Sequence, residues 1–391
     1  MSPATRADAG CVEVMALQPI AVVDHLGPPV SSDFLRRNLL AIGGGELGGS
    51  ERVDPSTLAS LLSKLEAAGA DVSVSTKAGG SAANTARGLS RGFGVKAGLL
   101  GSVGDDEWGS VFKDAMRAAR VDVSNLSEKP GATGRCACFV EAGSGQRTMR
   151  TCLRDAVRLD AREIRARLGE AAGSNPLRGA SWVLIPGYAF YGDGLVAAAA
   201  AAAAEANCKV ALALASFEIV RVFGAEIEAL MRSGRVSAVF ANEDEAREVV
   251  ALGSRSEEKK ANPSNRSRVP ATYASETTAD HALDTFARWS PACVAVVTLG
   301  DRGCVAARGD PACETSERVA CEAFEEIVAR DSTGAGDLFV SGFMYGLLRE
   351  SPLGECAELG CLAGAAATQS VGAEVSDEGW AWVRDRTPII Q

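Results

Sequence analysis

Residues 182–215, WVLIPGYAFYGDGLVAAAAAAAAEANCKVALALA, decide the architecture. The stretch opens on WVLIPGY from Trp182, an apolar run too short for a core helix and bounded by Pro186 and Gly187, which predicts a buried strand. GLVAAAAAAAAEAN follows, and its alanines at 197–204 predict a close-packed helix, because alanine has the highest helix propensity, instead of a low-complexity linker. KVALALA from Lys209 is a second apolar strand. Strand, helix and strand within this span make a crossover unit, which joins parallel strands.

The rhythm extends in both directions. Upstream lie a strand-like AGLLGSV at 97–103 and a helical EWGSVFKDAMRAARV. Downstream come SAVFAN, the helix DEAREVVALG, the strand CVAVVTLG and a helix beginning within GAGDLFVSGFMYGLL. The expected fold is α/β, a three-layer α/β/α sandwich around a mainly parallel sheet, as one domain over residues 11–391. CVEVMALQPIAVVD at 11–24 reads as a first strand, with Pro19 pointing to an edge position or a bulge. VDPSTLASLLSKLEAAG reads as a helix with Asp54 as its cap, proline in its first turn and Gly69 closing it.

Two stretches break the pattern. Residues 131–152, GATGRCACFVEAGSGQRTMRTC, read as a β-hairpin turning at Ser144 and Gly145; with parts of 12–50 they would form a small β-sheet lid. Residues 254–278 are polar and nearly free of large apolar side chains, so a flexible surface insertion is expected there, and disorder over residues 1–10. IGGGELGG at 42–49 contains a GxGxxG, but SERVDPS follows where a dinucleotide-binding loop needs a helix. It reads as part of the lid, and an oxidoreductase is rejected.

Bulk properties narrow the partners. The net charge is −10 and the pI about 5.0, with lysines and arginines scattered, so there is no basic surface for a nucleic acid. No apolar run reaches the roughly 18 residues of a membrane span. A cytoplasmic protein is expected, with an organelle also open. Eleven cysteines without a CxxC pair, and only two histidines, argue against both zinc and a disulfide framework.

The chemistry concentrates in DSTGAGDLFVSGFMYGLL from Asp331. Gly334, Ala335 and Gly336 precede a long apolar run, so their amides should stand at a helix N-terminus, where free donors and the helix dipole hold anions. Asp337 is a carboxylate placed beside an anion site. It either stabilises the first turn as any acid would, or takes the proton of an attacking hydroxyl while the amides hold a transferring phosphoryl group.

With GGSAANTARGLSRGFG from Gly79, GSVGDDEWG from Gly101, NEDE at 242–245 and VTLGDRG at 297–303, the DSTGAGD string resembles the pfkB, or ribokinase-like, family of carbohydrate and nucleoside kinases. The motifs occur in the family's order across nearly the whole chain. The resemblance implies an enzyme that phosphorylates an alcohol with ATP and Mg2+, with Asp337 as general base and Gly334, Ala335 and Gly336 as the anion hole. It places Asp24, Gly79, Gly80, Ser81 and Asn84 on the acceptor. It places Asn242, Thr298, Gly300, Gly303 and Gly336 on ATP, and Asn242 and Glu245 on Mg2+ through water. Arg147 in GSGQRTM is similar to a lid arginine that reaches the transferring phosphate, with Arg150 and Arg154 as rivals. Ser81 is similar to the adenosine-kinase-like branch, so the expected acceptor is an adenosine-like nucleoside, with ribose and a hexose also open. A monovalent cation such as K+ fits the resemblance, and so do a monomer and a homodimer. A member that had lost turnover and served as an assembly protein would show damage at the base or the anion hole, and both are intact.

Overall fold

A computed structural model of the 391-residue chain describes residues 12–19, 21–30, 50–67, 73–141, 147–168, 175–261, 275–309, 317–324, 327 and 329–387. The larger sheet contains β1 (Val14–Pro19), β5 (Ala97–Gly104), β6 (Leu126–Lys129), β9 (Trp182–Pro186), β10 (Lys209–Ala213), β11 (Val236–Asn242), β12 (Val294–Thr298), β13 (Cys304–Arg308) and β14 (Glu317–Cys321). Its order is β14-β13-β12-β11-β10-β9-β1-β5-β6, parallel from β12 to β6 and antiparallel across β12, β13 and β14. The short apolar runs are strands because both faces are covered. Alternate side chains pack into two separate cores. Ala16, Leu99, Leu184 and Phe240 meet the helices Ser81–Arg87, Ala335–Leu348 and Leu353–Thr368, whereas Leu17, Ile185, Leu212 and Val297 meet Leu195–Glu205, Phe217–Arg232 and Ser275–Trp289. The sandwich expected from the sequence is the observed one.

The lid is a second sheet of β2 (Ala21–Val30), β3 (Ser50–Arg52), β4 (Ser73–Gly79), β7 (Gly134–Glu141) and β8 (Arg147–Cys152), in the order β3-β8-β7-β2-β4. The hairpin of β7 and β8 is as expected, while its turn at Ser144 and Gly145 lies outside the described residues. So do residues 1–10 and the IGGGELGG stretch.

Two expectations need correction. Residues 11–24 are not one strand on an edge or with a bulge: β1 is an interior strand of the large sheet, between β9 and β5, and ends at Pro19, and β2 belongs to the lid. A proline has no N–H to extend a ladder, so its place at the last residue of β1 marks where the chain changes sheets. The polar stretch 254–278 is helical at both ends, in Glu243–Ala261 and Ser275–Trp289, with 262–274 outside the described residues. Its glutamates and lysines are good helix formers, which a reading based on missing apolar residues undervalues.

The GSVGDDEWG segment joins lid to body. Asp106 caps the helix Glu107–Ala118 through the Gly109 amide at 2.9 Å and also accepts from the amide and hydroxyl of Thr133, next to the first residue of β7. The Gly131 amide donates to Asp105 at 2.9 Å. The helix Ala335–Leu348 is anchored just as firmly, since Phe343 is fully buried and meets Phe240 edge to face at 5.4 Å. Truncating such a ring costs about 3–5 kcal/mol.

Candidate active site

A cleft of about 1030 Å³, solvent at its mouth included, opens where the lid's inner face meets the C-terminal ends of the central strands. This is where open α/β sheets bind ligands. Gly80, Ser81, Asn84, Arg147, Thr333, Gly334 and Asp337 line it together with Arg52, Tyr188 and Tyr191.

The loop 331–337 is built for its place. Asp331 is buried; its Oδ1 accepts from the amide and hydroxyl of Thr333 at 2.8 and 2.7 Å, and its Oδ2 from the Gly372 amide at 2.7 Å. Gly334 caps the helix at φ 77°, and a Cβ there would stand 2.3 Å from the Cβ of Ala373, so only glycine fits. The Ala335 amide turns back to the Ser332 carbonyl at 3.2 Å and the Leu338 amide to the Gly334 carbonyl at 2.9 Å. No backbone partner among the described residues takes the amides of Gly336 and Asp337. The open donors are therefore those two, and the Ala335 amide expected in the anion hole is already used. A Cβ at Gly336 would have nothing within 4 Å, so there is room beside it for a ligand.

Asp337 faces a second helix. Its Oδ1 accepts from the Ser81 hydroxyl at 2.7 Å, its Oδ2 from the Asn84 amide at 2.8 Å, and its backbone carbonyl from the Thr85 hydroxyl at 3.1 Å. Burial pushes the Asp337 carboxyl above the ordinary carboxylate range, while the Asn84 and Ser81 hydrogen bonds and the charges of Arg147 and Arg87 pull it back. Asn84 is 6% exposed, and its Oδ1 has no hydrogen-bond partner among the described residues.

Of the three candidate arginines, Arg147 alone lines the cleft, and it donates to the Ser332 carbonyl in the loop 331–337. Arg150 is 1% exposed and pairs with Glu51 at 3.4 Å. Its position in β8 alternates with the cleft-lining Arg147, Met149 and Thr151, which puts it on the other face of the lid.

The expected nucleotide and metal residues form a separate group on neighbouring strand ends. Asn242, the last residue of β11, pairs in register with Thr298, the last of β12. Gly300 and Gly303 shape the turn after it at φ 65° and 87°. Asn242 and Glu245 make a capping box: Asn242 Oδ1 accepts the Glu245 amide, and the carboxylate accepts the backbone and side-chain amides of Asn242, all at 2.9 Å. Glu245 is 3% exposed, and burial raises its pKa to about 7. With every polar side-chain atom of this pair already engaged, the donor set fits a hydrated Mg2+ and not a directly ligated one. Among the described residues no three metal-ligating side chains converge.

Asp24 sits in β2, where its backbone pairs with Thr76 and Ala137; its side chain lies outside the described residues. Gly79 ends β4, and Gly80 turns the chain into the Ser81 helix.

Reasoning from sequence missed the cleft's aromatic wall. Tyr188 and Tyr191 come from the turn Gly187–Tyr191 directly after β9, and the Arg52 guanidinium lies 5.4 Å from the centre of the Tyr191 ring. The signal was available in GYAFY at the C-terminal end of a central strand.

Among solved structures, the chain is similar to a probable sugar kinase protein from Rhizobium etli, at 26% identity and TM-score 0.75, covering 96% of this chain and 98% of that one. It is equally similar to adenosine kinase from Sinorhizobium meliloti, at 26% identity and TM-score 0.75, covering 96% and 99%. Adenosine kinase from Schistosoma mansoni in complex with 2-fluoroadenosine shares the fold at 17% identity and TM-score 0.73, over 97% and 100% of the two chains. Residues 60–379 match the pfkB family carbohydrate kinases. The chain therefore belongs to the pfkB family, and is a phosphotransferase that acts on an alcohol.

Proposed function

We propose that the chain transfers the γ-phosphate of ATP to a primary hydroxyl of a nucleoside, with Asp337 as general base. The observation that carries this reading is the pairing of a buried carboxylate, held on both oxygens, with the open amides of Gly336 and Asp337 in the same helix turn. Asn84 Oδ1 accepts from a neighbouring hydroxyl of the acceptor and so orients it, and the attacking hydroxyl gives its one proton to Asp337. It attacks in line, while the two amides and Arg147 meet the charge on the transferring group. Mg2+ would be held through water near Asn242 and Glu245 and would neutralise phosphate charge. Thr298, Gly300 and Gly303 fit the nucleotide side, at the ends of the adjacent strands. Asp24 keeps the place that the motif order gives it, as an acceptor for sugar hydroxyls.

The aromatic wall favours a nucleoside. Tyr188, Tyr191, Pro186, Met149 and Leu153 offer a flat, apolar surface that a free pentose has no group to use. The adenosine kinase likeness at 26% identity points the same way. A sugar acceptor is the second reading, supported by the equally similar sugar kinase. ATP consumption against adenosine, inosine, ribose and fructose decides between them. The nucleoside reading expects kcat/KM for adenosine at least about 100-fold above that for ribose, since losing a well-placed base forfeits roughly 3 kcal/mol of stacking and burial. A higher value for ribose or fructose overturns it.

A further inference from the structure

Ser81 precedes Asn84 by one helical turn and follows the paired glycines, which makes it look like an acceptor contact. Its hydroxyl proton, however, points across the helix interface to Asp337 Oδ1 at 2.7 Å. We propose that Ser81 is a positioning residue for the transfer step: it fixes the carboxylate plane of Asp337 from one side, while Asn84 fixes it from the other and keeps Oδ1 for a second hydroxyl of the acceptor. This rests on the reading of Asp337 as the base.

Three side chains of one turn stitch the two helices together at this residue. Ser81 and Asn84 take the two carboxylate oxygens. Thr85 donates to the Asp337 carbonyl and lies within hydrogen-bond distance of the Ser81 carbonyl, at 3.1 Å in each case. Such contacts need the helix axes close together, and one turn further on Gly88 provides the room. A Cβ at Gly88 would stand 2.4 Å from Ser341 Oγ and 2.6 Å from Leu338 Cδ1, so any larger residue there wedges the helices apart. The helix widens into a π-turn over Gly88–Gly92 at the same point. Carboxylates without such supports sample several rotamers, and a base displaced by an ångström loses much of its effect.

The charged groups facing Asp337 are Arg87 on the Ser81 helix and Arg147 from β8. Arg87 is itself paired with Glu374 at 2.7 Å, and Asp331 in the loop before is turned toward Thr333 and Gly372. None of these contacts involves Ser81, so its removal subtracts one donor to the ionised carboxylate and leaves the charges in place. A donor to the charged form favours it; without that donor Asp337 takes up its proton at higher pH.

The test uses Ser81→Ala and Ser81→Thr in the full chain, with whichever acceptor of the four-compound panel turns over fastest. Ser81→Ala should lower kcat by about tenfold, leave acceptor KM within about twofold, and move the acid limb of the kcat profile to higher pH. Ser81→Thr, which keeps the hydroxyl, should restore most of the loss. A carbon-13 NMR titration of the Asp337 carboxyl, assigned by its absence in Asp337→Asn, should show the same upward displacement without any acceptor present. An unchanged carboxyl titration, or a raised acceptor KM with an unmoved pH profile, overturns the proposal and makes Ser81 a substrate contact. Full activity in Asp337→Asn is a different result and removes the underlying reading of the base instead.

Discussion

Two helix N-termini stand at the same edge of the sheet, each with an acid in its first turn, and they do opposite things with it. At Asn242–Glu245 the side chains turn inward and satisfy the end of their own helix. At Gly334–Asp337 the cap is a glycine that offers no side chain, the acid is bound by a different helix, and two amides stay open. The acid alone therefore says little about function. What separates the two ends is whether the backbone donors have been answered from within.

Substitutions can break this contrast. The largest effect is expected at the open end, where Asp337→Asn keeps the shape and removes the proposed base; kcat should fall by about a thousandfold or more. Because burial holds the Asp337 carboxyl above its usual range, the wild-type rate should also fall off on the acid side at a pH above that of an exposed aspartate, as the base becomes protonated. Arg147→Ala comes next. It takes one charge from the lid side of the open end and should cost about 100-fold in kcat, with stability unchanged in denaturant melts. The smallest effect belongs to the closed end: Asn242→Ala should cost about 1–2 kcal/mol of stability, read as a lower denaturant midpoint at constant slope, and change kcat by less than tenfold. A loss of turnover at Asn242 as deep as at Asp337, without loss of stability, would show that the closed end is also catalytic.

Much of the fold was legible because its signals are local. The strands at 182, 209 and 294 are covered on both faces, which leaves unbroken apolar runs, and Asp54 caps its helix through the Ser56 and Thr57 amides as its position predicts. β4 was not legible, since SVSTKAG carries small and polar residues that show no apolar run. Nor was the change of sheet at Pro19, because a central strand's last residue and an edge strand's bulge look alike without their neighbours. In the site, Asp337 and Gly334 announce themselves by a glycine-rich turn before an apolar helix. The partners of Asp337 do not, for Ser81 lies 256 residues away and hydrogen bonds of that range leave no spacing to read. The Ala335 amide shows the same limit on a smaller scale, as only coordinates reveal that it folds back on Ser332.

The proposed reaction divides labour within one helix turn: amides hold phosphate and the carboxylate takes a proton. Calorimetric measurement of ATP binding to Asp337→Asn, in the presence of Mg2+, tests it most directly. The account predicts a Kd within about threefold of wild type in a protein that has lost its turnover, because the open amides remain in place. A Kd weakened as severely as turnover would contradict it, since the carboxylate would then be part of the phosphate grip.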